Sequence, residues 1–351
     1  MRRIAFDAMG GDHAPEPELD AAVAVLREGR KDIGITLVGD EAKIRDGLAR
    51  RGASPGHALA VHHAPDVIRM DDHPSVAVKG KKQSSMRVAF DLVKAGEAHA
   101  VVSAGNSGAM LACGLLVWKR LPGAIRPGIA TTFPTLDGQC VLCDMGANVD
   151  VQAPMLAQFG LLGATYARVM HGKPRPRLGL LANGEEESKG TDLTREAHAI
   201  LRGLDGAAFE YVGYVEGRDI FGGEVDAIAT DGFTGNVVLK TAEGAAQTLV
   251  EMLKRAFASS PRAQVGYVLA RPALRQFKRR LDYAETGGAP LLGVDHLALI
   301  CHGRSNATAL KNAIHAAARY LDKHLIDNVA AALAGADVGH SQKLKHVRAK
   351  P

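Results

Sequence analysis

The feature that most constrains this 351-residue chain is an alternation: short aliphatic runs, each followed by a glycine-bearing polar loop and then by a stretch of helical periodicity. The runs fall at residues 3–6, 35–38, 100–102, 140–143, 178–181, 225–228 and 297–300; helical patterns fall at 16–28, 76–94, 152–170, 193–201, 235–258 and 307–324. Alternation of buried strands with helices of ten or more residues predicts an α/β protein with a largely parallel sheet. Between 241 and 282 the alternation gives way to two helical stretches around Ser259-Ser260-Pro261, read as a helical hairpin inserted into the core. Val265, Tyr267, Val268 and Leu269 are placed in its connection, and Arg275, Lys278, Arg279 and Arg280 on its second arm. Pro122, Pro127 and Pro134 mark a turn-rich bridge, but no linker or repeat divides the chain. Residues 1–339 are therefore expected to form one domain, and 340–351 a disordered basic tail.

Composition removes several function classes. The net charge of +5 resides mostly in Lys343, Lys345, Arg348 and Lys350 of the tail, and the single Trp and few other aromatics offer no stacking platform, so no nucleic-acid partner is expected. Four unevenly spaced cysteines make no disulfide framework and suit a reducing compartment. The N-terminal residues lack the apolar core of a signal peptide, and the longest nearly apolar stretch, 109–118, is about half the roughly 20 residues of a membrane-spanning helix. A cytoplasmic protein is expected.

In parallel sheets ligands bind beyond the carboxyl ends of the strands. Here six loops in such positions are rich in Gly, Asn, Asp and Ser: those beginning at Asp7, Ser103, Asp144, Asn183, Thr230 and Cys301. Glycine lets backbone N–H groups turn toward an anion, and a following helix adds its positive end, so six converging loops would cradle a phosphate. Lys189 either balances Glu185, Glu186 and Glu187 or faces a phosphate; His302, between an apolar strand and Gly303, is a candidate to face a cleft. Lys79, Lys81 and Lys82 either form a solvated helix face or extend the positive field. Established motifs fail: there is no G-x-G-x-x-G, and Gly288–Gly293 is followed by Val294 where a phosphate loop has lysine. Gly105-Asn106-Ser107-Gly108 departs from the nucleophile elbow of serine hydrolases. Cys140 and Cys143 lie inside an apolar strand without a second cysteine pair, and His62-His63 has no carboxylate at ligand spacing, so no metal and no cofactor are expected.

Taken together, the segments 6–12, 103–109, 144–150, 183–190, 231–236, 287–293 and 302–305 resemble the phosphate acyltransferase family of bacterial phospholipid synthesis, from about residue 3 to 320. Ser107 stands where the family often has Thr, and Thr286 where an aromatic is expected. The resemblance implies a three-layer α/β/α fold like that of the isocitrate and isopropylmalate dehydrogenases and phosphotransacetylase, and a homodimer peripherally associated with the inner face of the membrane. The implied reaction converts long-chain acyl-acyl carrier protein and inorganic phosphate into acyl phosphate, for use by a downstream glycerol-3-phosphate acyltransferase. By motif the catalytic lysine and asparagine fall on Lys189 and Asn236, with His302 beside them; Asp12, Gly105, Asn106, Ser107, Gly108, Asn148 and Asp231 are the expected substrate contacts. Two rival readings stay open: a dehydrogenase on the same architecture and a noncatalytic scaffold that binds acyl carrier protein.

Overall fold

The computed structural model describes residues 1–204, 206, 208–281 and 287–336, the side chains of 275, 276 and 278–281 excepted. The basic tail, Thr286 and the side chains of Arg275, Lys278, Arg279 and Arg280 lie outside the described residues.

Eleven strands form one sheet: β1 (Arg2–Asp7), β2 (Ile33–Gly39), β3 (Leu59–His63), β4 (Ala100–Ser103), β5 (Gly128–Pro134), β6 (Gln139–Cys143), β7 (Arg177–Leu181), β8 (Glu210–Val215), β9 (Ala227–Ala229), β10 (Ala289–Leu292) and β11 (Leu297–Ile300). Their order is β3-β2-β1-β4-β11-β10-β5-β6-β9-β7-β8. Alternate residues feed two cores. Ile4, Phe6, Val102, Val141 and Leu299 pack beneath the helices Glu16–Arg27, Ala153–Met170 and Ala307–Asp322, whereas Ala5, Val101, Leu142 and Ala298 pack against Ser85–Lys94 and Ser107–Cys113. This is the expected three-layer α/β/α arrangement, and the period-2 burial of both faces explains the unbroken apolar runs.

The same alternation settles the cysteine pair. Cys140 and Cys143, three residues apart on β6, point into opposite cores as free thiols. Burial pushes Cys140 up to about 12 and Cys143 well above its usual range, so neither is a ready thiolate.

The sheet is parallel in both wings and antiparallel at their junction, where β10 opposes β11 and β5, and β5 opposes β6. Three reversals leave the two parallel wings running in opposite senses. The junction is built on the proline-marked bridge, since β5 lies between Pro127 and Pro134. Its registers decide where the site falls. Ala289 faces Ile300, Leu291 faces Ile129, and Ala130 faces Cys143. The carboxyl end of β6 is thus one residue, about 3 Å, from the level at which β11 ends. The stagger brings the carboxyl ends of the two opposed wings together at the junction.

Two helical expectations change. The predicted 76–94 helix is two helices, Pro74–Gly80 and Ser85–Lys94, because Ser84 caps the second by accepting from Arg87 N at 3.3 Å. Lys81 falls in the break and donates to Asp72 at 2.5 Å and to Val67 O at 3.0 Å, so it is committed to that turn. The hairpin consists of Gly232–Ala258 and Pro261–Leu281, so Val265, Tyr267, Val268 and Leu269 lie on its second helix and not in its connection. Pro261 suits a first helical position, and Ser260 Oγ accepts from Ala263 N at 3.2 Å. Among the described residues no helix is long and apolar enough to cross a membrane.

Candidate active site

Above Ile129, β5 has no partner on the β10 side, and the sheet parts. A cavity of about 1240 Å³ occupies this parting, with Ala130, Thr132, Ala289 and Ile300 at its edges. It reaches the strand-end loops of both wings.

On one side stand the loops after β1, β4 and β11, knitted around a buried carboxylate. Asp7 accepts from Ser103 Oγ at 2.7 Å and from Met9 N at 3.2 Å; Ser103 Oγ in turn accepts from Gly105 N at 3.0 Å. The Asp12 N–H donates to Gly303 O at 2.8 Å. Burial raises the Asp7 pKa against the pull of these donors. Beneath the Gly10-Gly11 turn, Glu18 is buried with Oε2 unpartnered, and burial, aided by the charge of Asp7, pushes its pKa up to about 8. Glu18 was legible as an acid on the apolar stripe of its helix, four residues before Ala22 and seven before Val25.

On the other side a second buried carboxylate, Asp144, accepts from Ile129 N (2.9 Å), Ala147 N (3.2 Å), Asn148 N (2.7 Å) and Asn148 Nδ2 (2.9 Å). The following helix closes against it: Gly232 N donates to Asn148 O at 2.8 Å, and a side chain at Gly235 would overlap Asp144 O. Both glycines are there because backbone meets backbone. Asn236, one residue on, is thereby held beside Gly146.

Of the expected site residues, Asn236, His302, Gly105 and Ser107 line the cavity together. Three others hold the scaffold. Asn106 Oδ1 caps the helix Ser107–Cys113 through Ala109 N at 3.0 Å, and its Nδ2 donates to Met70 O at 3.0 Å. Asp231 caps Gly232–Ala258, accepting from Thr234 N at 2.8 Å and Thr234 Oγ1 at 2.7 Å. Asn148 is fastened to Asp144 and to Pro127 O. Asp12 and Gly108 flank the lining, Asp12 through Gly303 and Gly108 within the Asn106-capped turn. His302 Nδ1 accepts from Arg304 N at 3.2 Å, so a neutral ring carries its proton on Nε2. Burial, then the charge of Lys240, lowers its pKa below the usual histidine value and favours that neutral ring.

Lys189 lies outside the residues that line the cavity. Its loop follows β7 at the same sheet edge as Asp144, two strand spacings, about 10 Å, to the side. Two of the three neighbouring acids have other partners: Glu185 pairs with Arg218 at 2.8 Å and Glu187 with Arg202 at 3.2 Å, and none of the described ion pairs involves Lys189.

Sequence reading missed a stripe on the helix Gly232–Ala258. Lys240, Glu243, Gln247, Val250 and Lys254 follow Asn236 at helical spacing and line the same cavity, with Leu239, Ala242 and Ala246 beside them. The i+4 and i+7 offsets from Asn236 were the available signal. Among the described residues no group of three or more His, Cys, Asp or Glu side chains could hold a metal ion.

The α/β/α fold is shared with solved phosphotransacetylases. A phosphotransacetylase from Streptococcus pyogenes superimposes with a TM-score of 0.61 at 19% identity, covering 92% of this chain and 94% of that one. EutD phosphotransacetylase from Staphylococcus aureus gives 0.56 at 15%, covering 91% and 93%. Residues 2–328 match the family described as "Fatty acid synthesis protein", and the chain belongs to that family. Among its relatives, proteins named "Phosphate acyltransferase" are 54% identical in Geobacter sulfurreducens (92% of this chain, 91% of the relative) and 52% in an Anaeromyxobacter species (94% and 90%). Neither the dehydrogenase nor the scaffold reading is favoured by these relatives.

Proposed function

We propose that the chain transfers a long-chain acyl group from its thioester on acyl carrier protein to inorganic phosphate. A phosphate oxygen attacks the thioester carbonyl; the C–O bond forms, the C–S bond breaks, and acyl phosphate and the carrier thiolate leave, the thiolate taking a proton from solvent. The cavity carries the reading. On a chain half identical to phosphate acyltransferases, it brings the polar groups of Gly105, Ser107, Asn236 and His302 into one space with the apolar side chains of Phe133, Leu239, Ala246 and Val250.

Phosphate is largely dianionic near neutral pH, so the enzyme's task is to hold it in line with the carbonyl. Asn236 Nδ2 and nearby backbone N–H groups donate to the oxyanion, one such donor being worth roughly 3 kcal/mol. A neutral His302 orients phosphate through Nε2–H. Lys189 joins during turnover, its loop folding across the roughly 10 Å that separates the two sheet positions. A thiolate with an intrinsic pKa of ~8.5 needs little acid to leave, so His302 is assigned to orienting phosphate and not to proton donation.

The exposed apolar side chains Val265, Val268 and Leu269 support a homodimer resting peripherally on the inner face of the membrane, where acyl phosphate passes to a glycerol-3-phosphate acyltransferase. In the test, purified protein is mixed with palmitoyl-carrier protein, and free carrier thiol and hydroxylamine-trapped acyl phosphate are followed. Phosphate-dependent appearance of both is expected; thiol release without phosphate would indicate hydrolysis, and binding without either product a scaffold. Val268→Ser with Leu269→Ser should release the protein from anionic liposomes, and undiminished sedimentation with them counts against membrane contact.

A further inference from the structure

A cavity that receives a phosphate dianion and stabilises a developing oxyanion requires a fixed positive charge near the reacting groups. Three cationic side chains line it: Lys240, Lys254 and Arg319. Lys254 is fourteen residues beyond Lys240 on the same helix, about 21 Å along its axis, and lies 3.5 Å from Glu251. Arg319 belongs to the helix Ala307–Asp322, beside Tyr320, whose hydroxyl meets that of Tyr166 at 2.7 Å, away from Asn236. Lys240 differs from both. It stands one turn after Asn236 on the same helical face and close enough to His302 to act on its charge. Its Nζ donates to Glu243 Oε2 at 2.9 Å, and Glu243 is the more buried of the two, with 16% of its side chain exposed against 48% for Lys240. The carboxylate is the anchor and the ammonium the reaching arm, with donor capacity left for a second anion.

We propose that Lys240 is the cation that binds the phosphate acceptor, with Glu243 positioning it toward Asn236 and His302; this rests on the acyl-to-phosphate reading above. Lys240 thus acts in the ground state, before any acyl donor arrives, whereas Lys189 acts in turnover. Lys240 makes its charge-assisted contact to phosphate whether or not a thioester is present, which separates the two lysines experimentally.

The test is binding of inorganic phosphate to the purified full-length protein without acyl donor, by equilibrium dialysis of labelled phosphate. Lys240→Met should weaken binding about 10-fold or more, Lys240→Arg by less, Glu243→Gln by a few-fold, and Lys189→Ala not at all. In parallel, the His302 ring is titrated by NMR. Its charged surroundings are Lys240, Glu243, Asp12 and Arg304, so Lys240→Met should raise its pKa and Glu243→Gln lower it. Added phosphate should raise the His302 pKa in the wild type and by much less in Lys240→Met, a response that a lysine with a purely structural role would leave intact. Wild-type protein that binds no phosphate overturns this proposal and the acceptor reading together. Wild-type affinity retained in Lys240→Met, or lost in Lys189→Ala in its place, overturns the assignment of Lys240 and leaves the acceptor reading standing.

Discussion

Two loops of similar composition differ in what they stand on. The loop after β6 is seated on Asp144, a buried carboxylate that takes four hydrogen bonds from its surroundings, and it delivers Asn236 to the cavity through a helix that touches backbone to backbone. The loop after β7, carrying Lys189, turns its acids outward to surface arginines and is held by local bonds such as Gly190 N to Asn183 Oδ1 at 2.9 Å. The loops on Asp7 and Asp144 stand on buried carboxylates; the Lys189 loop is held by surface ion pairs and local bonds, the footing on which its proposed closure rests. Glycine and asparagine at a strand end therefore do not say which kind of loop follows. A buried carboxylate beneath it does.

The sharpest way to break this contrast is to add one methyl group to each loop. In Gly235→Ala the new Cβ falls within contact radius of Asp144 O, which is backbone and cannot yield. The substitution should cost about 3 kcal/mol or more, although alanine alone would favour the helix by about 1 kcal/mol. In Gly184→Ala the Cβ meets Glu186 Oε2 and Lys189 Cγ, each at 2.8 Å, which are parts of flexible side chains, one exposed and one half-buried. Its urea midpoint should barely shift. Equal losses in the two variants would mean that the loops are equally clamped.

Chemistry should divide along the same line. Asn236→Ala is expected to lower kcat by about 10²- to 10³-fold with an unchanged melting temperature, since it removes a donor and no packing. Lys189→Ala should also lower kcat, by about 10²-fold, but only once the loop has closed. Raising solvent viscosity should therefore slow the wild type more than Lys189→Ala, whose chemical step has become limiting. Viscosity effects of the same size in both would remove loop closure from the mechanism.

Glu18 tests how far the buried acids hold the scaffold. Its native pKa of about 8 lies above the ordinary 4.5 of an unfolded chain, so between these values the folded protein keeps a proton that the unfolded chain has released. Stability from this site is complete below pH 4.5 and is lost as pH rises toward 8. Glu18→Gln, which stays neutral, should match the wild type near pH 5 and exceed it at pH 8 by on the order of 3 kcal/mol. Thermal melts across that range check the sign; a variant less stable at pH 8 would show that the carboxylate is needed charged.

How much of this was legible follows from the range of each interaction. The α/β class was readable because strands with both faces buried write their pattern locally, as in Ile4-Ala5-Phe6 and Val141-Leu142-Cys143. β5 and β10 were not, since a junction strand bordering a cavity mixes Thr131 and Thr132 with apolar neighbours, and reversal of direction is a pairing property that no single run records. β3, carrying His62 and His63 at the sheet edge, escaped for a related reason. Asn236 was singled out by family motif and His302 by its place after an apolar strand, and both line the cavity. Asn106, Asp231 and Asn148 carry the same residue types, yet here they hold turns and helix ends: capping and ligand binding use the same side-chain oxygen, and only the third dimension tells them apart. Lys240 and Glu243 went unread because their signal was a spacing measured from Asn236 and not a motif.

The smallest expected effect sharpens the contrast from the outward-facing side. Glu185 and Glu187 pair with Arg218 and Arg202 at the surface, where 58% and 83% of the two acid side chains remain exposed. Each pair is worth at most about 1 kcal/mol and is screened by salt, so Glu185→Gln with Glu187→Gln should leave the melting temperature within a degree or two of wild type. Turnover is the more sensitive reading. If these pairs hold the Lys189 loop in its open position, releasing them makes closure easier, and kcat should rise modestly, up to about 3-fold, at low ionic strength and converge with the wild type at high salt. A fall in kcat instead would mean that the pairs hold Lys189 where it acts, and that the loop after β7 is as preorganised as the one seated on Asp144.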